Sequence, residues 1–196
     1  MEVYTKLLKQ RKEYLAMKLE NIIPCQFETV LDSYVSENGS KDDPWEIRNL
    51  KRAQTKFGSW ISTRIPINEI GKIVMPHYKF GGTQIVPYEG RLLIEAYENF
   101  KEEEEFFQEN NPQFCKRIDF HKQTIKEKSR KKIYLSQEPL FIGESYCGLT
   151  SFKGKITHLD GFHRLFAAMD LEEECRPPYL ESFIAVFNDF KYPQSN

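Results

Sequence analysis

The stretch from Ile156 to Met169, I-T-H-L-D-G-F-H-R-L-F-A-A-M, constrains this chain more than any other. Ile156 to Leu159 predict the end of a strand, and Leu165 to Met169 predict a helix. Between them lie Asp160, Gly161, His163 and Arg164. A strand that passes through a glycine into a helix leaves the first backbone N–H groups of that helix without intrahelical acceptors. Together with the helix dipole, those donors make an anion site. Gly161 allows close backbone approach, because it has no Cβ. Arg164 adds a permanent charge with a fork geometry suited to phosphate, and His163 adds a second donor. Asp160 is the odd member, since a carboxylate repels phosphate. Three roles are open to it: holding Mg²⁺, taking a proton from an attacking hydroxyl, or capping the helix. Each residue taken singly is an ordinary turn or helix residue; their conjunction points to an anion site.

The 196 residues suit one domain with an extension, or two small ones. Forty per cent are hydrophobic, enough to bury a core and to argue against disorder outside the termini. The net charge of −1 removes the simplest argument for a nucleic-acid protein, which carries a basic excess. No run reaches the roughly 18 apolar residues of a membrane span, and the charged N-terminus lacks an apolar signal core. A cytoplasmic protein is expected. Cys25, Cys115, Cys147 and Cys175 show no C-x-x-C spacing and read as free thiols.

Along the chain, residues 1 to about 20 have helical spacing, and Pro24 is expected to break that helix. Phe27, Val30, Leu31 and Tyr34 predict an amphipathic helix. Asp43 and Pro44 predict the start of another, with Trp45, Leu50, Phe57 and Trp60 on its buried side. The β-branched runs Arg64–Ile70 and Lys72–Pro76 predict strands, Gly81-Gly82 a turn and Thr83–Pro87 a further extended run. Leu92 to about Gln108 reads as one helix ended by Asn110-Asn111-Pro112, with Glu102–Glu105 as its solvated face. Residues 113–130 read as a loop or short helix. Strands are expected at Lys131–Ser136, Lys155–Leu159 and Ser182–Phe187, with a connection from Glu138 to Lys153.

The pattern K-G-K-I-T-H-L-D-G-F-H-R-L-F-A-A, Lys153 to Ala168, together with I-P-I-N-E-I at Ile65–Ile70, resembles the ParB/sulfiredoxin-like superfamily. Those domains open with a similarly worded strand and end in D-G-H-H-R, D-G-H-T-R, G-C-H-R or G-E-R-R. The resemblance covers roughly Ile65 to Phe187 and is specific at the turn. The chain also resembles a bacterial family carrying H-L-D-G-[FL]-H-R, which implies no activity. The sulfiredoxin Cys and the ParB Glu both fall at Phe162, so sulfur repair and chromosome partitioning are disfavoured. The D-G-H-T-R members include free serine kinases, which share Asp160, Gly161 and Arg164 with this chain.

From the residues and that resemblance together, the expected fold class is α+β, a helical N-terminal portion (1–62) packed on a ParB/sulfiredoxin-like mixed-sheet domain (63–190), with a tail (191–196). The resemblance implies a nucleotide- or phosphate-binding protein, a small-molecule phosphotransferase using ATP or ADP with Mg²⁺. Asp160 and Glu69 would be catalytic. Gly161, Phe162, His163 and Arg164 would bind phosphate or nucleotide, joined by Lys79 from the loop after Lys72–Met75. The alternative is a module that binds a nucleotide or anionic metabolite without chemistry. Partners are a small-molecule substrate and a nucleotide, not nucleic acid or membrane. His158, Asp160 and His163 make a weak metal trio, because a closed site needs a fourth ligand; no metal site is expected. Cys147 shows no general base beside it.

Overall fold

Alternation of apolar residues along the longer strands gives this protein a sheet with both faces covered. In the strand Tyr179–Phe187, Phe183 and Ala185 enter one cluster while Ile184 and Val186 enter the other. The computed structural model describes residues 17–38, 45–86, 91–127, 132–138, 140 and 155–190. Within them the order is β1 (Glu20–Cys25), α1 (Phe27–Asn38), α2 (Trp45–Phe57) and β2 (Gly58–Pro66). A 3-10 helix (Ile67–Lys72) leads to β3 (Val74–Met75), β4 (Tyr78–Phe80), β5 (Thr83–Val86) and β6 (Arg91–Leu92). Then come α3 (Leu93–Glu102), α4 (Glu104–Asn110), α5 (Pro112–Lys126), β7 (Ile133–Ser136) and β8 (Thr157–Asp160). The chain closes with α6 (Phe162–Asp170), a 3-10 turn (Glu173–Cys175) and β9 (Tyr179–Phe187).

Seven strands form one mixed sheet in the order β1-β2-β9-β7-β8-β3-β6. β7 is parallel to β9 and β3 to β8; the other neighbours are antiparallel. β4 and β5 form a separate hairpin around Gly81-Gly82. The fold is α+β. One face is covered by α1 and α2, whose Val30, Tyr34, Leu50, Ala53 and Phe57 pack on Trp60, Tyr134 and Phe183. On the other face, residues of α3 to α6 pack on Ile61, Ile65, Leu135 and Ile184. No helix among the described residues is long and apolar enough to cross a membrane.

Several expectations change. Residues 20–25, expected only as a helix break, are an edge strand, where Pro24 is tolerated because one side of the strand needs no N–H donor. The front third therefore supplies strands as well as helices, and the boundary expected at 62/63 falls inside β2. Trp45 is 54 % exposed, while Trp60 is buried from β2 rather than from the helix. The run Arg64–Ile70 is strand only to Pro66 and then turns into the 3-10 helix. The helix expected from Leu92 to Gln108 is divided at Glu103 into α3 and α4. Residues 113–130 contain the longest described helix, α5, with Phe114, Cys115 and Ile118 buried. Asn111-Pro112 stops α4 and also starts α5: Asn111 Oδ1 accepts from Phe114 N–H, and Pro112 takes the first helical position. The expected helix at 1–16, the Asp43-Pro44 start, Cys147 and the tail lie outside the described residues.

Candidate functional site

The turn places Gly161 between β8 and α6 with φ 98° and ψ 22°, a left-handed conformation that favours glycine. A Cβ here would lie 2.8 Å from Ile133 Cγ2 and 3.3 and 3.4 Å from Arg164 Nε and Nη2. The glycine thus makes room for the Arg164 side chain, which folds back across the turn. Its Nη2 donates to Asp160 Oδ2 at 3.1 Å. Its Nη1 lies 3.6 Å from Glu37 Oε2, beyond hydrogen-bond distance, and finds no hydrogen-bond acceptor among the described residues.

Glu37 comes from the last turn of α1, on the opposite face of the sheet. Its carboxylate accepts from Lys132 N–H (2.9 Å), Lys132 Nζ (3.4 Å) and Ser33 Oγ (3.2 Å). A knot of charges therefore ties α1, the start of β7 and the β8–α6 turn together. Arg164 is only 8 % exposed, so its charge is held in the interior by these carboxylates. No local pattern marks Glu37 in the sequence; its role exists only because the fold brings α1 beside the turn.

The two histidines of the motif are neutral near pH 7. Burial, aided by Arg164, lowers the His158 pKa to about 3. Burial, then Arg117 and neighbouring imidazoles, lowers that of His163 to about 3. His163 is enclosed by Phe80, Phe114 and Phe162, with ring centroids 5.3, 5.4 and 5.9 Å away. Its Nε2 is sealed from solvent without a hydrogen-bond partner among the described residues. As a neutral ring among aromatic side chains, it brings no positive charge to the turn. Phe162 is a core residue, stacked 4.0 Å from Tyr78 and 4.8 Å from Phe166.

Two further expected residues lie apart from the turn. Glu69, which follows β2, is buried and accepts from Lys72 Nζ (2.8 Å) and Lys18 N–H (3.0 Å). Its carboxylate is thus engaged by Lys72 and the Lys18 amide, neither of which belongs to the turn. Lys79 is exposed, and strand alternation sets it on the face of β4 opposite Tyr78 and Phe80, whose rings meet Phe162 and His163. One oxygen of each carboxylate near the turn, Asp160 Oδ2 and Glu37 Oε2, lies against Arg164. Among the described residues no three of His, Cys, Asp and Glu are grouped to hold a metal ion.

What the turn does border is a cavity of about 620 Å³. Arg164 and Ile133, the two residues packed on Gly161, form part of its wall. His121 and Lys126 of α5 form another side, and Arg176 and Tyr179 line it from the segment entering β9. The sequence named only Arg164 among these. Arg176 Nε donates to Leu171 O (2.8 Å) and its Nη2 to Met169 O (3.0 Å), closing the end of α6.

Fold and site together define an α+β protein with a charged cavity set against a strand–glycine–helix turn. Residues 22–194 match DUF6309, a family of unknown function, and the chain belongs to that family. No curated protein and no solved structure matches it.

Proposed function

We propose that this protein binds a small anionic, phosphate-type ligand in the cavity beside the Asp160–Arg164 turn. The observation that carries this reading is the convergence of Arg164, Lys126 and Arg176 on one cavity, whose wall also carries Glu174 and Glu181 among its apolar residues. A cation set among apolar wall, as Arg164 is, attracts an anion more strongly than one on an open surface. The resemblance of the turn to ParB/sulfiredoxin-like domains supports the same ligand chemistry. A cytosolic setting suits the three described cysteines, Cys25, Cys115 and Cys175, which are free thiols.

The binding module is preferred over the phosphotransferase because Asp160 is already engaged in holding Arg164. Its Oδ2 accepts from the guanidinium, which leaves Oδ1 to meet a substrate proton. One observation favours keeping phosphoryl transfer as the second reading: the Asp160 side chain is 25 % exposed, so a hydroxyl can approach it. Thermal unfolding with phosphate, pyrophosphate, AMP, ADP, ATP and CTP, with and without Mg²⁺, tests the first reading. A bound ligand raises Tm, and Lys126→Ala on the exposed rim should reduce that rise. If none of these ligands raises Tm, the phosphate reading fails. Turnover of a nucleotide that Asp160→Asn abolishes would move the conclusion to the phosphotransferase.

A further inference from the structure

The size and wall of the cavity narrow the ligand further, given the anion-binding reading above. At about 620 Å³ the cavity is far larger than a phosphate group requires. Sites of roughly 300–1,000 Å³ enclose whole small organic molecules. Ile125, Ile133, Pro177, Tyr179 and Leu180 offer apolar surface to the rest of such a molecule. Tyr179 brings an aromatic ring to that wall, and its setting follows from the register of β2 and β9. Arg64 pairs with Glu181 and Pro66 with Tyr179, so Arg64 is the diagonal neighbour of Tyr179 on one face of the sheet. The Arg64 guanidinium lies 4.3 Å from the centre of the Tyr179 ring, and its Nη2 lies 3.9 Å from Glu181 Oε1. The cation–π contact and the ion pair together hold the ring in place. Arg64 covers one face of the ring and is not among the described residues of the cavity wall, which leaves the other face to the cavity. Pro177 and Pro178, with fixed φ, stiffen the chain that carries Tyr179 into β9.

We infer that the cavity takes a phosphate ester carrying a flat unsaturated ring, and that Tyr179 selects it by stacking on that ring while a cation of the wall meets the phosphate. Stacking tolerates any flat ring, because each has a π-face whatever groups its edge carries. Tyr179 therefore sets a preference for a ring over none, not for one base over another.

AMP and ribose 5-phosphate share the sugar and the phosphate and differ in the base, so their comparison tests the ring alone. Dissociation constants are taken from the rise of Tm with ligand concentration. AMP should bind about tenfold more tightly than ribose 5-phosphate. Tyr179→Leu, which keeps apolar bulk without a π-face, should bring the two together, whereas Tyr179→Phe should keep them apart. In the wild type, AMP should also move the Tyr179 ring-proton NMR signals upfield and ribose 5-phosphate should not, which keeps the test in force if Tyr179→Leu does not fold. Phenyl phosphate, a ring without a sugar, identifies the source of the ring: binding as tight as AMP assigns an aryl phosphate, and weaker binding a nucleotide. Equal affinity of the wild type for AMP and ribose 5-phosphate overturns the inference. So does a gap that Tyr179→Leu leaves unchanged, or AMP binding without movement of the Tyr179 signals; the anion-binding reading survives all three. No rise in Tm with AMP, ribose 5-phosphate, phosphate or pyrophosphate overturns that reading, and this inference with it.

Discussion

At the scale of single residues, the turn is organised around the side chain of Arg164. Gly161 reads in the sequence as a place for ligand approach. In the fold its missing Cβ leaves room for Ile133 and the guanidinium, so the glycine serves Arg164 first. Gly161→Ala would combine a left-handed backbone with a contact of 2.8 Å. The expected loss is about 2–3 kcal/mol of stability by urea unfolding. The displaced Arg164 should also reduce any rise in Tm given by the phosphate-type ligands of the thermal panel. Unaltered stability would mean that the turn is not held in this conformation. The composition of the turn was legible from its residues; the direction in which Arg164 points was not. That direction depends on Asp160, four residues back, and on Glu37, which no local pattern connects to it.

At the scale of elements, the polar segment after Pro112 carries the main lesson. Its many Lys, Arg, Gln and His residues conceal an apolar stripe of Phe114, Cys115, Ile118 and Ile125, which is narrow but has helical spacing. Asn111 is the hinge of this region and is only 4 % exposed. Its Oδ1 caps α5, and its Nδ2 donates to Phe80 O, tying the β4–β5 hairpin to the helix. Asn111→Ala removes both bonds and leaves the part-buried Phe80 carbonyl without this donor. The expected cost is about 2 kcal/mol in urea unfolding, against the ~1 kcal/mol of an ordinary exposed cap. Asn111→Asp, which keeps the cap acceptor but loses the donor, should recover only part of it. Full recovery would show that the hairpin bond contributes nothing. Helices α1, α2 and α6 were legible because their stripes are strong. β1 was not, because Pro24 is a strand breaker unless the strand lies at an edge, and edge position is a property of the assembled sheet.

At the scale of the whole molecule, the half-buried His158 and His163 make stability depend on pH. An unfolded histidine titrates near 6.5, whereas His158 and His163 have pKa values of about 3 in the fold. Above about pH 6.5 both are neutral in either state, and their contribution is fully present. As pH falls below that, the unfolded chain takes up protons that the fold refuses. Stability should then drop by up to about 1.4 kcal/mol per pH unit for each histidine, until the folded pKa near 3 is reached. Asp170 adds to the acid loss further down: against the upward push of burial, hydrogen bonds from Lys122 and Tyr97 hold it below the usual carboxylate range. Urea unfolding of wild type and His163→Phe between pH 6.5 and 4.5 measures the effect. The variant should have a shallower slope, the remainder coming from His158 and from His77, whose pKa burial and Lys79 also lower; an equal slope in both proteins would mean that His163 is not held as a neutral ring.

The sequence by itself determined the α+β class and the strand–glycine–helix turn. These follow from periodicity and backbone preference, which act between residues close along the chain. The tertiary structure decided which charges meet, which histidines lose water and where a cavity opens. It joined Glu37 to Arg164, drew Phe162 into the core and left Glu69 with Lys72 and the Lys18 amide. Those outcomes depend on desolvation and Coulomb pairing between segments far apart in sequence, which no local pattern encodes.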